Sequence, residues 1–167
     1  KLAGEIAIRM SGVRGWIIRT SWLYSKYGSN FVKIMLKLGR ERESLRVVDD
    51  QMGTPTHAAD LAQDLVRMLA PKTPRIERIW DVETYHYSGM GQTSWCGFAR
   101  KIFEVAGWEI PVEAISTREY PSKVMRAPYS VLNCSKIDTD FGLARPAWET
   151  ALSTCLAQMD TVRSKSS

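Results

Sequence analysis

Histidine occurs only twice and cysteine only three times in the 167 residues. Cys96, Cys134 and Cys155 are odd in number, widely separated and without a Cys-x-x-Cys pair. That spacing argues against both a disulfide framework and a zinc site. No metal is therefore expected, and a reducing cytoplasm is the expected compartment. No apolar run approaches the ~18 residues of a membrane span, and Glu5 interrupts anything like a secretion signal at the start. A soluble chain with no membrane partner is the expectation. Also missing is any Gly-x-Gly-x-x-Gly or Gly-x-x-Gly-x-x-Gly after a strand, so these residues cannot hold a complete dinucleotide site. There is no internal repeat or low-complexity tract to indicate a solenoid.

What is present has the balance of one globular domain, with 44% hydrophobic and 25% charged residues. Lys and Arg number 23 against 18 Asp and Glu, a net charge of +5, and the pI is near 9.2. This mild excess suits an anionic ligand, but without a basic and aromatic motif it gives no reason to expect nucleic acid.

Leu2, Ala3, Ile6, Ala7 and Met10 follow a 3.6-residue period, yet no Ser, Thr, Asp or Asn precedes them to cap a helix. The chain is therefore expected to open inside a helix that has been cut short. Gly12 to Gly15 break it, and Trp16 to Thr20 read as a short, mostly buried strand. Asn30 can cap a helix whose apolar face is Phe31, Ile34, Met35 and Leu38, ended by Gly39 and the charged run behind it. Leu45 to Val48 form a strand, and Asp49 to Thr56 a polar loop. Ala58, Leu61, Ala62, Leu65 and Leu69 mark a second helix, followed by a connector over Pro71 to Arg78.

Thr84 to Tyr87 favour a strand, and Trp95, Phe98, Ala99, Ile102, Phe103 and Ala106 a strong amphipathic helix stopped by Gly107. Val112 to Ile115 can be another strand, Pro121 to Pro128 read as irregular, and Trp148, Ala151, Leu152, Cys155, Leu156 and Met159 define a last helix. Strands alternating with helices indicate an α/β fold with parallel pairing.

Several segments occur in a family-specific order: Lys1-Leu2-Ala3-Gly4-Glu5, Arg19-Thr20-Ser21-Trp22, Asn30-Phe31-Val32 with Met35-Leu36, and Asp50-Gln51 with Gly53, Pro55 and Thr56. Tyr85-His86, Ser94-Trp95, Phe98-Ala99, Arg126, Ser130, Leu132 and the Trp148 helix continue the order. Over nearly its whole length the sequence resembles the C-terminal half of the dTDP-4-dehydrorhamnose reductases, which are extended short-chain dehydrogenases/reductases. The resemblance implies the C-terminal part of a Rossmann-like fold. Residues 1–167 would contribute the end of the cofactor-binding fold and the substrate-binding domain, without the N-terminal glycine-rich half.

The family pattern Tyr-x-x-x-Lys followed by Leu-x-Gly-Glu makes Lys1 the lysine of the catalytic pair and a cofactor ligand, with its tyrosine upstream of the first residue given. At that spacing the two side chains share a helix face, and the ammonium lowers the phenol pKa. The family's reaction is the delivery of hydride from NADPH, or NADH in some members, to C4 of dTDP-4-dehydro-L-rhamnose, yielding dTDP-L-rhamnose. By the same resemblance Thr20 and Ser21 lie beside the nicotinamide, Trp22 faces the sugar, Asn30 and Gln51 bond the nucleotide, and Arg126 pairs with the diphosphate. Ala127 departs from the proline usual after that arginine, which loosens the segment that aims Arg126.

The chain alone is expected to be inactive. Its exposed apolar faces are expected to be covered by the missing N-terminal half or by a self-associating copy, a homodimer included. A non-catalytic relative, the regulatory subunit of methionine adenosyltransferase, resembles the same family and stands as the alternative.

Each candidate also has a plainer reading. Lys1 by default is a solvated surface residue, Trp22 core packing and Arg126 half of a surface ion pair. Trp95 and Trp148, on amphipathic helices, read as core anchors. His57 and His86 lack the ligand cluster a metal needs and receive no role. Asp49 and Asp50 read as solvated or capping carboxylates, and Arg163 with Lys165 as a solvated tail.

Overall fold

The computed structural model describes residues 1–70, 81–120 and 126–159. The expected connector, most of the irregular stretch at 121–128 and the basic tail lie outside the described residues. In chain order the first elements are α1 (Leu2–Met10), β1 (Gly15–Thr20), β2 (Leu23–Tyr24), α2 (Phe31–Glu41), β3 (Leu45–Val48), β4 (Met52–Gly53), β5 (Thr56–His57) and α3 (Ala58–Met68). They are followed by β6 (Val82–Tyr87), β7 (Thr93–Ser94), α4 (Trp95–Ala106), β8 (Val112–Ile115), a 3-10 turn at Thr117–Glu119, α5 (Ser135–Phe141) and α6 (Trp148–Ala157).

Parallel pairing dominates. β1 runs beside β6 from Gly15 opposite Val82 to Thr20 opposite Tyr87, and β3 beside β8 from Leu45 opposite Val112 to Val48 opposite Ile115. Two-residue strands complete the set: β2 pairs with β5 in parallel, and β4 with β7 antiparallel.

The larger core cluster packs α2, α4 and α6 over β3. It includes Val32, Met35, Leu36, Phe98, Ile102, Phe103 and Leu152. α2 starts where the Asn30 side chain accepts from the Lys33 amide at 3.2 Å, satisfying one of the unpaired N–H groups of a first turn. Its buried residues are Val32, Met35, Leu36 and Gly39, one face at i, i+3, i+4 and i+7. The stripe expected from the sequence, Phe31, Ile34, Met35 and Leu38, is turned about one residue from that face and shares only Met35 with it.

Gly39 does not end the helix, which continues to Glu41. A Cβ there would stand 2.6 Å from Phe103 Cε1, so glycine lets α4 approach closely. α4 is capped by Ser94, whose hydroxyl accepts from the Gly97 amide at 2.9 Å. It closes at Gly107 in the left-handed region, φ 70°.

A second cluster, Met68, Tyr85, Tyr87, Cys134 and Ile137, lies between α3, β6 and α5. Here α3 buries an acid: Asp64 accepts from the Tyr87 hydroxyl at 2.7 Å and from Arg67 at 2.8 Å, the pairing a buried carboxylate requires. α1 buries none of its residues. It is tied to the β1–β6 pair by polar contacts: Glu5 with Arg19 at 2.6 and 2.9 Å, and Arg9 with the Val82 carbonyl at 2.7 Å. Glu5 meets the C-terminal end of β1 and Arg9 the start of β6, so α1 runs antiparallel to both strands.

Candidate functional site

The parallel strands β3 and β8 deliver two loops to the same end. Thr117, just after β8, donates through its amide to both carboxylate oxygens of Asp50, at 3.0 and 2.9 Å, and through its hydroxyl to Oδ1. These bonds hold the Asp50 carboxyl below its ordinary pKa, the Thr117 hydroxyl contributing most. Gln51 Nε2 donates to the same Thr117 oxygen at 2.9 Å. The 3-10 turn is locked by Glu119, which accepts from the Ser116 amide and hydroxyl, both at 2.8 Å. The Ser116 amide, then its hydroxyl, lowers the Glu119 pKa.

Against this joint lies a cavity of about 780 Å³. Phe31, Ile34, Met35 and Leu38 of α2, with Val47 and Trp95, give it an apolar and aromatic wall, and Arg42, Arg46, Gln51, Thr117 and Arg126 supply polar groups. Arg46 is engaged by Glu113 and Glu119, each at 3.3 Å. The guanidinium groups of Arg42 and Arg126 form no hydrogen bond or ion pair among the described residues.

Trp95 is held by two further rings, Trp22 behind the wall and Phe31 within it. The indole of Trp22 stacks on it with ring centroids 3.6 Å apart and planes 9° from parallel, and Phe31 leans on it at 4.6 Å. Trp22 follows the C-terminal end of β1, where Thr20 is exposed and Ser21 half-buried. The Ser21 hydroxyl donates to the Thr54 carbonyl at 3.3 Å. The antiparallel course of α1 brings Lys1 to this same end of the sheet.

A family model described as the RmlD substrate binding domain matches residues 1–161. The chain belongs to the RmlD substrate-binding domain family. It is 40% identical over 157 residues to the dTDP-4-dehydrorhamnose reductase of Sinorhizobium fredii, covering 89% of this chain and 51% of that one. To the spore coat polysaccharide biosynthesis protein SpsK of Bacillus subtilis it is 40% identical over 152 residues, 91% of this chain and 50% of the other. The crystal structure of dTDP-4-dehydrorhamnose reductase from Bacillus anthracis in complex with NADP superposes with a TM-score of 0.82 at 37% identity, covering 95% of this chain and 53% of that one. The chain thus spans about half the length of the relatives it matches, and its α/β fold is that of about half of this reductase.

Within this RmlD-type domain the residues singled out from the sequence fall into groups. Gln51 and Arg126 line the cavity, and Trp22 backs its Trp95 wall. Thr20 and Ser21 lie at the end of β1, and Lys1 opens α1 on the side of that end. Asn30 stands apart: its carbonyl caps α2, and its amide donates to the carbonyls of Ser25 and Tyr27 at 2.7 and 3.2 Å.

The reading of Trp95 as a core anchor is incomplete, since the residue packs against the core cluster and also lines the cavity. It is half-buried at the first position of α4, between cavity and Trp22, whereas Trp148 is buried in the core. Arg42, Thr117 and Tyr120 also line the cavity and were not singled out. Arg42 was hidden in a charged run, and the other two follow a strand with no motif around them. Among the described residues, no group of three His, Cys, Asp or Glu is placed to hold a metal ion. His57 is buried with Nδ1 3.2 Å from Asp60, and no described helix is long and apolar enough to cross a membrane.

Proposed function

We propose that this chain is the nucleotide-sugar-binding part of a dTDP-4-dehydrorhamnose reductase that, as a whole protein, uses NADPH to reduce dTDP-4-dehydro-L-rhamnose to dTDP-L-rhamnose. The observation that carries this reading is the cavity, in which an apolar and aromatic wall faces two guanidinium groups with no partner among the described residues. A thymine ring gains from the wall by apolar contact, and a diphosphate from Arg42 and Arg126 by charge-assisted bonds. Gln51 has its amide donor fixed on Thr117, which leaves its carbonyl oxygen to accept from the thymine N–H. With the nucleotide there, the sugar extends past Trp95 toward Trp22 and the end of β1. That is the carboxyl edge where open α/β sheets bind ligands.

The same edge fits one end of a nicotinamide cofactor, because Lys1 offers an ammonium and Thr20 an exposed hydroxyl there, and Ser21 keeps its oxygen free to accept. The phosphates have no glycine-rich loop in this sequence, so the cofactor depends mainly on residues outside it. When bound, the nicotinamide supplies the hydride. Lys1, Thr20 and Ser21 orient the ring and its ribose, and the Lys1 ammonium favours the phenolate form of the family tyrosine that protonates the new alkoxide. Residues 1–167 thus supply the substrate-binding domain and the end of the cofactor-binding fold, and by themselves bind without turning over.

Calorimetric titration with dTDP and with NADPH tests this. The expected result is dTDP binding without NADPH binding, with Arg42→Ala and Arg126→Ala each weakening dTDP roughly tenfold or more, the scale of one lost charge-assisted bond. No dTDP binding by the unaltered chain overturns the assignment of the cavity.

A further inference from the structure

We propose that Trp95 and Gly53 form a clamp that fixes the Trp22 indole beside the cavity, making Trp95 a positioning residue for the sugar end of the ligand. The proposal rests on the nucleotide-sugar reading of the cavity above. Trp22 has φ 48° and is the sole non-glycine with positive φ among the described residues. A bulky side chain in the left-handed region is strained, and such strain persists only where the surroundings over-determine it.

Three contacts do so here. The Trp22 carbonyl accepts from the Thr56 amide at 3.1 Å, and Trp95 covers the indole at 3.6 Å in a nearly parallel stack. The backbone of Gly53 closes so tightly on the ring that a Cβ there would stand 2.3 Å from Cε2, 2.5 Å from Cζ2 and 2.6 Å from Nε1. Any other residue at position 53 evicts the indole.

Trp22 also packs against the core, with Phe98 6.5 Å away, but core packing by itself does not call for a strained backbone. The indole is moreover left with an open function. Its Nε1 is bonded to no acceptor among the described residues and is not one of their buried unpaired atoms, so it can donate outward. Phe31 and Trp95 line the cavity, and Trp22 continues them toward the end of β1. Only the part of a ligand that extends past Trp95 toward the end of β1 meets this third ring, whose angle is set in advance, which is how a site selects one sugar shape over another without reorganising.

Two measurements on the whole chain test the clamp. Stacked indoles couple their transitions, so the far-ultraviolet circular dichroism should carry a couplet that vanishes in Trp22→Phe. The same couplet should vanish in Gly53→Ala. Calorimetry with dTDP and with dTDP-L-rhamnose then separates nucleotide from sugar. Gly53→Ala should leave dTDP affinity within about twofold and lower the advantage of dTDP-L-rhamnose over dTDP by up to about tenfold, the scale of one aromatic contact. Trp95→Leu should lose that advantage as well, and Trp95→Tyr, which keeps a stacking ring, should restore most of it.

A Gly53→Ala chain that binds dTDP and keeps either the couplet or the sugar advantage overturns the clamp while the cavity reading stands. If that variant does not fold, equal sugar advantage in Trp95→Leu and Trp95→Tyr overturns it. An unaltered chain that binds neither ligand overturns the cavity reading, and the clamp falls with it.

Discussion

The Asp50 carboxylate organises the joint on which one wall of the cavity rests, because it accepts from both the amide and the hydroxyl of Thr117, and Thr117 in turn holds Gln51. Its pKa lies below the ordinary 3.8, so ionised Asp50 stabilises the fold fully above that value, and the contribution is lost as pH falls through the lower folded value. Asp50→Asn should therefore lower the thermal midpoint at neutral pH, and the gap to the unaltered chain should shrink in acid below about pH 4. Melting curves of both chains across pH check this, and a gap that stays constant would show that the carboxylate charge does not hold the joint. At this scale the sequence was legible only in part. Gln51 and Arg126 could be named because they sit in recognisable segments. Arg42 could not, since nothing local separates a ligand arginine from a solvated one. The cavity side of Trp95 was not legible, because a tryptophan opening an amphipathic helix looks the same whether its ring meets core alone or core and cavity.

Helix α2 shows how an element can be legible in kind and misread in orientation. Its apolar period is real, but it is wide enough to carry two stripes, one buried at Val32, Met35, Leu36 and Gly39 and one along the cavity at Phe31, Ile34, Met35 and Leu38. Periodicity reports which residues avoid water and not whether a neighbour or a ligand covers them. The strands Leu45–Val48 and Val112–Ile115 could be placed from sequence because each short run carries two β-branched residues. The two-residue strands could not, since tertiary pairing alone makes them strands, and the mostly polar heptapeptide of α5 carries only the pair Ile137 and Phe141 on its apolar face. Gly39 gives an element-scale test. In an open helix, Gly→Ala gains up to about 1 kcal/mol. Here the new Cβ would press on the buried Phe103 ring at 2.6 and 3.1 Å, and overpacking of that kind costs about 1–3 kcal/mol. Gly39→Ala should thus destabilise the chain by about 1 kcal/mol in denaturant unfolding, whereas in a Phe103→Leu background the same change should be neutral or stabilising. Equal effects in both backgrounds would separate Gly39 from the α2–α4 contact.

The molecule as a whole carries apolar surface that its own fold does not use. α1 buries no residue, leaving Leu2 66% and Met10 82% exposed with Ile6 and Ile8 beside them, and among the described residues β1 pairs with β6 alone. Its other edge pairs with no described strand and is a template for a further one. α1 and β1 are joined by the Glu5–Arg19 pair, so the apolar helix and the open edge belong to one surface, larger than the scattered apolar residues of an ordinary monomer. The relatives are about twice as long as this chain, which gives that surface a natural occupant in a whole reductase. By itself the chain should cover it with a second copy. Light scattering on a sizing column should show a mass that rises with concentration, and Leu2→Lys with Ile6→Lys, one helical turn apart on the same face, should return it toward the monomer. These side chains are exposed within the chain, so the pair should leave the unfolding of the dilute protein nearly unchanged. A mass that stays monomeric at every concentration would mean that the +5 charge and the polar ties of α1 already keep this surface apart from its copies.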